Sequence, residues 1–361
     1  MRSRGARSRL VLLVMLASAC GGSSASPVGG PSTATPAPST GWLATAGSHI
    51  VTADGALWMG RGVNVPDTRS CGACVLDPPN VAEVKRRIDE AVDQWGSNFL
   101  RLLLESYAAP NGRTQWRGVL DDPGYLANLR EIVAYATAKR DVYVMISLWQ
   151  DASIGPDGSP TPDTNRVWQK LASTFSTDAR VMFGVANEPT ANFDGARDAD
   201  VWNAMNDAVS AIRATEDAAG GRHHIVAVQG TRQWGRVLDY YVQNPIKAGG
   251  GANVVYETHV YDGADLFQAR FIGPSRTIPV IIGEFGPIDQ PGVARMTNSD
   301  CARLMEQADA LQVPYLGWVF HMRCPPDLLE DRSNGGCGAG MPLRPTEWGA
   351  LLRDHLLTFR R

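Results

Sequence analysis

Two apolar runs in this sequence end in a glutamate. VMFGVANEP delivers Glu188 after an otherwise apolar stretch, and IPVIIGEFG does the same for Glu284. A carboxyl group held at the end of a buried run is a proton donor or an anion according to its surroundings. Two such groups facing one another can divide the work. One holds a proton at working pH and gives it to a leaving oxygen, while the other stays ionised and attacks carbon. Cleavage of a glycosidic bond needs that pairing.

Other polar and aromatic residues close apolar runs in the same way: Arg101 in NFLRLLLE, Asn187 before Glu188, His259 and Tyr261 in NVVYETHVY, and Trp318 in VPYLGWVF. A cation close to a carboxyl favours its ionised form, and enclosure among apolar groups favours its protonated form. Tyr107, Trp116, Trp149 and Trp234 fall near the same ends and could line a groove. Glu105 and Glu257 lack the apolar-run context; Glu257, two residues before His259, would point the same way but deeper. His321 either reaches the site from its rim or packs a loop.

The elements that must position these groups alternate short apolar runs with longer amphipathic ones. Eight runs read as strands: GRGVNV, NFLRLLLE, VYVMIS, VMFGVAN, HIVAVQG, NVVYETHVY, IPVIIGEFG and VPYLGWVF. Continuous apolar strands imply burial on both faces, as parallel strands require. Between them lie helical patterns, such as PNVAEVKRRIDEAVDQWG with Val81, Val84, Ile88, Ala91, Val92 and Trp95 on one stripe. WGRVLDYYV reads as a helix and GADLFQAR as at best a short one. SHIVTADGALWMG reads as a small N-terminal hairpin with a D-G turn. The class is α/β, a single (β/α)8 barrel, whose functional groups belong at the C-terminal ends of the strands. No glycine-rich phosphate loop follows the first strand, which argues against an open nucleotide-binding sheet. Glu188 and Glu284 would then start from opposing strand ends and meet at about 5 Å, the spacing of a configuration-retaining cleavage.

With these motifs the chain resembles the cellulase and mannanase family numbered five, in the clan of retaining (β/α)8 glycoside hydrolases, along its whole folded part. The resemblance implies that Glu188 of Asn-Glu-Pro is the acid/base and Glu284 the nucleophile. It also implies that Asn187 binds the sugar 2-hydroxyl, that Arg101 favours the ionised form of Glu284 and Tyr261 fixes its angle, that His259 orients the acid or binds a hydroxyl, and that Trp318 forms the floor under the sugar. Enclosure among apolar groups would then raise the pKa of Glu188 and keep it protonated. The family often has His after the third strand; here SLWQD places Trp149 or Gln150 there, and Trp149 is taken as a substrate contact. The expected activity is an endo-acting β-1,4-glycosidase on glucan, or alternatively on mannan or another hemicellulose. A non-catalytic glycan-binding barrel is the remaining reading. No metal or organic cofactor is implied.

The ends and composition fit a protein that meets a polymer outside the cell. MRSRGARSR followed by LVLLVMLASAC reads as an export signal over residues 1–20. Its closing LASAC-GG resembles a lipoprotein signal, in which Cys20 would carry lipid as a membrane anchor; otherwise the chain is secreted. Residues 21–41 read as an uncharged Gly/Ser/Pro/Thr tether that cannot offset its ordering entropy. Residues 42–361 read as the catalytic barrel, expected to act as a monomer. The chain holds 34 Lys and Arg against 37 Asp and Glu, and four of the arginines lie in the signal. A mature chain this acidic offers nothing to attract nucleic acid. Of the remaining cysteines, Cys71–Cys74 and Cys324–Cys337 are the expected disulfides outside the cytoplasm, with Cys301 left unpaired.

Overall fold

The computed structural model describes residues 41–70, 79–105, 116–149, 158–190, 192–332 and 338–360. Eight parallel strands close into a barrel: β3 (Arg61–Pro66), β4 (Phe99–Leu104), β5 (Tyr143–Leu148), β6 (Val181–Gly184), β7 (Ile225–Gln229), β8 (Val254–Val260), β9 (Val280–Phe285) and β12 (Tyr315–Gly317), with β12 pairing both β9 and β3. The eight apolar runs all became strands. Nearly every strand residue is buried, because one face meets the barrel interior and the other the surrounding helices.

Those helices follow the amphipathic runs. They are α1 (Val81–Asp89), α2 (Gly118–Asp121), α3 (Pro123–Thr137), α4 (Pro162–Thr174), α5 (Asp198–Ala218), α6 (Asp239–Gln243), α7 (Asn298–Leu311) and α8 (Glu347–Leu357). Along α1 and the π-helical turn that continues it (Glu90–Gln94, capped by Trp95), Val84, Ile88, Ala91 and Trp95 are buried, while Val81 and Val92 pack partly buried against them. Starts are set by caps. Asp122 accepts from the N–H groups of Gly124 and Tyr125 before α3, and Thr161 and Thr164 form a reciprocal capping box at α4. The helix expected over 234–242 is reduced to α6, because Gln233, Trp234 and Gly235 take positive φ and form a tight loop instead.

Two pieces differ from expectation. The N-terminal ribbon is β1 (Leu43–Ala46) against β2 (His49–Thr52), one strand earlier than the D-G hairpin, which survives as a single Val51–Leu57 bridge. A second ribbon, β10 (Ile288–Gln290) with β11 (Ala294–Met296), stands after β9; its strands are too short to carry a sequence period. The first ribbon closes the barrel's N-terminal end. Leu43, Ile50 and Trp58 join Phe99, Met145, Met182, Ala227, Val255, Ile281 and Leu316 in one interior cluster, with Trp58 edge-on to Phe99 and Tyr143. This apolar plug leaves the polar chemistry at the other end. Among the described residues no helix is long and apolar enough to cross a membrane.

Cys301 is a buried free thiol on α7. Cys71, Cys74 and Cys337 lie outside the described residues, and so therefore do both expected disulfides. The export signal and tether, residues 1–40, lie outside them too.

Candidate active site

Strand register builds the site in layers. On β8, Glu257 and His259 alternate with outward residues, and Tyr261 follows, so the three climb the barrel interior toward its mouth. Register sets Gln229 beside Glu257, Asn64 beside Arg101, and His259 beside Glu284, the last across a register shift in the β8–β9 pairing. A Cβ on Gly283 would lie 1.9 Å from Glu257 Oε1. Only glycine at that point of β9 leaves room for this deep carboxylate.

Arg101 is the hub and is fully buried. Its Nη1 donates to Glu284 Oε1 at 2.6 Å and to Asn64 Oδ1 at 2.9 Å, and its Nη2 donates to Asn187 Oδ1 at 2.6 Å. Its Nε lies 3.1 Å from Glu257 Oε1. The Tyr261 hydroxyl donates to the other Glu284 oxygen at 2.9 Å. Burial and the nearby carboxylates push that phenol well above its ordinary pKa, so it stays a donor. Glu284 is thus gripped on both oxygens.

Glu188 is held differently. Its backbone sits at φ 48°, a left-handed conformation that side chains rarely adopt and that concentrates at functional sites. Its N–H donates to Gln229 Oε1 at 2.5 Å. Its side chain keeps 25% exposure against 4% for Glu284, so Glu188 is the carboxyl that water can reach. His259 Nδ1 lies 3.0 Å from Glu188 Oε1 and 3.4 Å from Glu284 Oε2. Its Nε2 lies 2.9 Å from Gln229 Nε2 and 3.2 Å from Glu257 Oε1. Burial pulls the imidazole pKa down, but Glu284, Glu188 and Glu257 pull harder and bring it to about 9. The donor atoms of Glu188, His259 and Glu284 all lie within 4.8 Å of one another. A metal ion could use that donor set, but Arg101 and the imidazolium already place positive charge there.

The proton balance differs from the sequence expectation. Burial pushes Glu188 up, yet its hydrogen bond to His259 and the imidazolium charge outweigh this, and the net direction is down. Burial pushes Glu284 up against the pull of His259 and Arg101, with Glu188 adding to the rise. Enclosure alone would have raised Glu188; a cation at hydrogen-bond distance reverses the sign. The carboxylates and the imidazole titrate as one set.

The remaining candidates divide. Asn187 is buried, with its carbonyl taken by Arg101 and its amide Nδ2 left without a partner. That donor is free for a ligand hydroxyl. Trp318 stands beside Tyr261 in one apolar cluster, donates to the Cys324 carbonyl at 2.9 Å and is only 4% exposed. Its ring is mostly covered, with the indole N–H spent on that carbonyl. Trp149 packs partly buried against that cluster, its ring 6.1 Å from the Trp318 ring. Trp116 is a core residue, and Tyr107 and Gln150 lie outside the described residues. Trp234 stacks edge-on with the exposed Phe193 at 4.7 Å. His321 is fully buried, accepts the Arg323 N–H at its Nδ1 and is pushed down to about 3 by burial, so it packs a loop. Glu105 is a buried partner of Arg69 and the Gly118 N–H. Sequence reasoning missed Asn64, Gln229 and Arg236. The first two were legible as polar residues in the apolar runs GRGVNV and HIVAVQG. An open groove of about 940 Å³ lies between the segment after β8, the β10–β11 ribbon and the start of α7, and none of the site residues named above lines it.

Known proteins agree with this architecture. The chain is 23% identical over 280 residues to endoglucanase A of Butyrivibrio fibrisolvens, a match covering 72% of this chain and 55% of that one. The chain thus spans just over half of that curated relative's length. Its fold is similar to that of a β-glucanase from Saccharophagus degradans solved with cellotetraose (TM-score 0.67, 19% identity, 89% of this chain and 94% of that one). It is also similar to a Thermobifida fusca endoglucanase catalytic domain (0.68, 18%, 88% and 98%) and to a mannanase from a Streptomyces species (0.63, 20%, 92% and 97%). The model of the family described as cellulase, glycosyl hydrolase family 5, matches residues 75–323, and the chain belongs to that family.

Proposed function

We propose that this protein is a retaining endo-β-1,4-glucanase in which Glu284 is the nucleophile and Glu188 the acid/base. The observation that carries this reading is the spacing of the two carboxylates, whose closest oxygens fall within 4.8 Å. That closeness favours direct attack by one carboxylate over the wider separation, roughly 6.5–9.5 Å between carboxyl groups, that an inverting pair uses.

The chain's own groups supply each step. Glu284 attacks the anomeric carbon, aligned by Arg101 and Tyr261, while Glu188 protonates the leaving oxygen. The proton is available locally. Transfer from His259 Nδ1 to Glu188 Oε1 across 3.0 Å leaves a neutral imidazole, a carboxylic acid and a Glu284 anion still held by its two donors. Once Glu284 is esterified its charge is gone, Glu188 loses its proton more readily, and it activates the water that releases the sugar. The free Asn187 amide holds the 2-hydroxyl, a contact that strengthens in the transition state.

A glucan substrate and endo action are supported by the endoglucanase and β-glucanase names among the relatives. We also read residues 1–20 as directing export, with Cys20 as the lipid-bearing residue, since a polymer must be met outside the cell. Intact mass of the processed protein and globomycin sensitivity test the anchor. The test of function is a digest of soluble cellulose, glucomannan, xylan and laminarin, with products sized and followed by proton NMR from the first minutes. Short cello-oligosaccharides with a β-anomer signal first are expected. An initial α signal would remove the nucleophile role of Glu284, and cleavage of mannan alone would reassign the substrate.

A further inference from the structure

We infer that Arg236 is a positioning residue for this reaction, a fixed buried cation that favours Glu188 as the carboxylate needed when water attacks the glycosyl-enzyme. The inference rests on the reading of Glu188 above. Arg236 lies on the loop after β7 and is 6% exposed. Its guanidinium donates no hydrogen bond to any described residue, and its Nε is a buried donor without a partner. The nearest carboxylate oxygen, on Asp262, is 4.0 Å away; the other Asp262 oxygen is taken by Arg270 at 2.5 Å. What holds the guanidinium is aromatic: it lies 5.0 Å from the Trp234 ring centroid and 5.5 Å from that of Tyr261, distances at which a cation is attracted to a ring face.

The loop that carries it is built not to move. Arg232 and Val237 form a bridge, the Arg236 carbonyl accepts from Thr258 Oγ1 at 3.0 Å, and Gly235 packs against Gln229, the side chain that receives the Glu188 N–H. Arg236 is therefore tied through Tyr261 to Glu284 and through Gln229 to Glu188.

Burying a charge without a hydrogen-bonded partner costs stability, so a role beyond packing is the physical reason to keep it. Its charge acts on a crowded set. Glu188 is faced by His259 and Tyr261 from β8 and its extension, Glu284 from β9, Arg101 from β4 and Arg236 from the β7 loop. His259 shares its proton with three carboxylates and Arg101 is spent on Glu284 and its neighbours. Arg236 is the cation with no such commitment, and it pulls both Glu188 and the Tyr261 phenol downward.

The test compares Arg236→Met with Arg236→Lys. The alkaline limb of kcat/KM, where the proton shared by His259 and Glu188 is lost from the site, should move up by roughly half a pH unit or more in R236M, since a nearby positive charge has been removed. The ratio of variant to wild-type rate should rise with pH. R236K should keep the wild-type limb. R236M should melt no lower than wild type, because a desolvated charge is replaced by an apolar chain. A limb that stays in place in R236M, or moves equally in both variants, overturns the inference, as does a lower melting temperature with an unmoved limb. Carbon-13 NMR titration of the Glu188 carboxyl, assigned with Glu188→Gln, reads the same shift without turnover. If the wild type cleaved no β-glycan, the proposed function would fail, and this titration would still decide what Arg236 does.

Discussion

Arg101→Met tests the assembly of the site most severely. In one buried position the guanidinium serves Glu284, Asn64 and Asn187 through three hydrogen bonds of 2.9 Å or less, and it faces Glu257 at 3.1 Å. Methionine fills much of the volume but supplies no donor. Two carboxylates and two amide oxygens are then left in a dry barrel with one fewer cation. Breaking a buried ion pair from one side costs roughly 3–5 kcal/mol. A domain of this size gains about 0.7 kcal/mol per degree in unfolding entropy near its midpoint, so Tm should fall by about 4–8 °C. Activity should fall further than stability. Glu284 would lose the donor that keeps it anionic, and kcat/KM should drop by roughly 10³-fold or more, as for loss of a charged group that acts on the transition state. Arg101→Lys should recover part of the stability and little of the activity, because an ammonium cannot span Glu284 and Asn187 together. Differential scanning calorimetry and initial rates on soluble cellulose provide both numbers. An R101M protein melting within a degree of wild type, or retaining a tenth of its activity, would refute the hub argument.

Glu284→Ala should abolish turnover, whereas Glu188→Ala should be nearly inactive on polysaccharide but retain more activity on aryl glycosides whose leaving group needs no proton. Azide should then accelerate the second step of the Glu188 variant alone; identical responses of the two variants would reverse the role assignment. The raised pKa of His259, about 9 against an ordinary 6.5, links stability to pH. Its contribution is fully present below about pH 6.5 and is lost as pH rises through about 9. Chemical denaturation across that window should therefore show a decline of a few kcal/mol in wild type and a shallower one in His259→Asn, and equal slopes would rule the linkage out.

Much of this molecule was readable before any coordinates. Eight apolar runs with amphipathic segments between them admit few packings, because a chain of that pattern must bury both faces of each strand, and a closed parallel barrel does so. Glu188 and Glu284 were legible for the same reason: a charged residue closing a buried run has nowhere to go but the mouth. The depth of Glu257 followed from the two-residue period of a strand. What local pattern could not carry was whatever depends on two segments meeting. The N-terminal ribbon was displaced by one strand because Leu43 and Ile50 are drawn to the open end of the barrel. Trp318 is packed in a cluster with Leu103, Tyr261 and Ala294, which come from three separate parts of the chain. The sign of the Glu188 shift turned on a 3.0 Å contact with His259, set by strand register. Arg236 fell inside the expected helix WGRVLDYYV and carried no signal of its own. Only the closing of the barrel placed it, buried and without a side-chain hydrogen bond to a described residue, against the rings of Trp234 and Tyr261. Composition and period decide which surfaces must be buried, whereas charge balance inside a site is decided by distances across the barrel, and those exist only once the chain has closed.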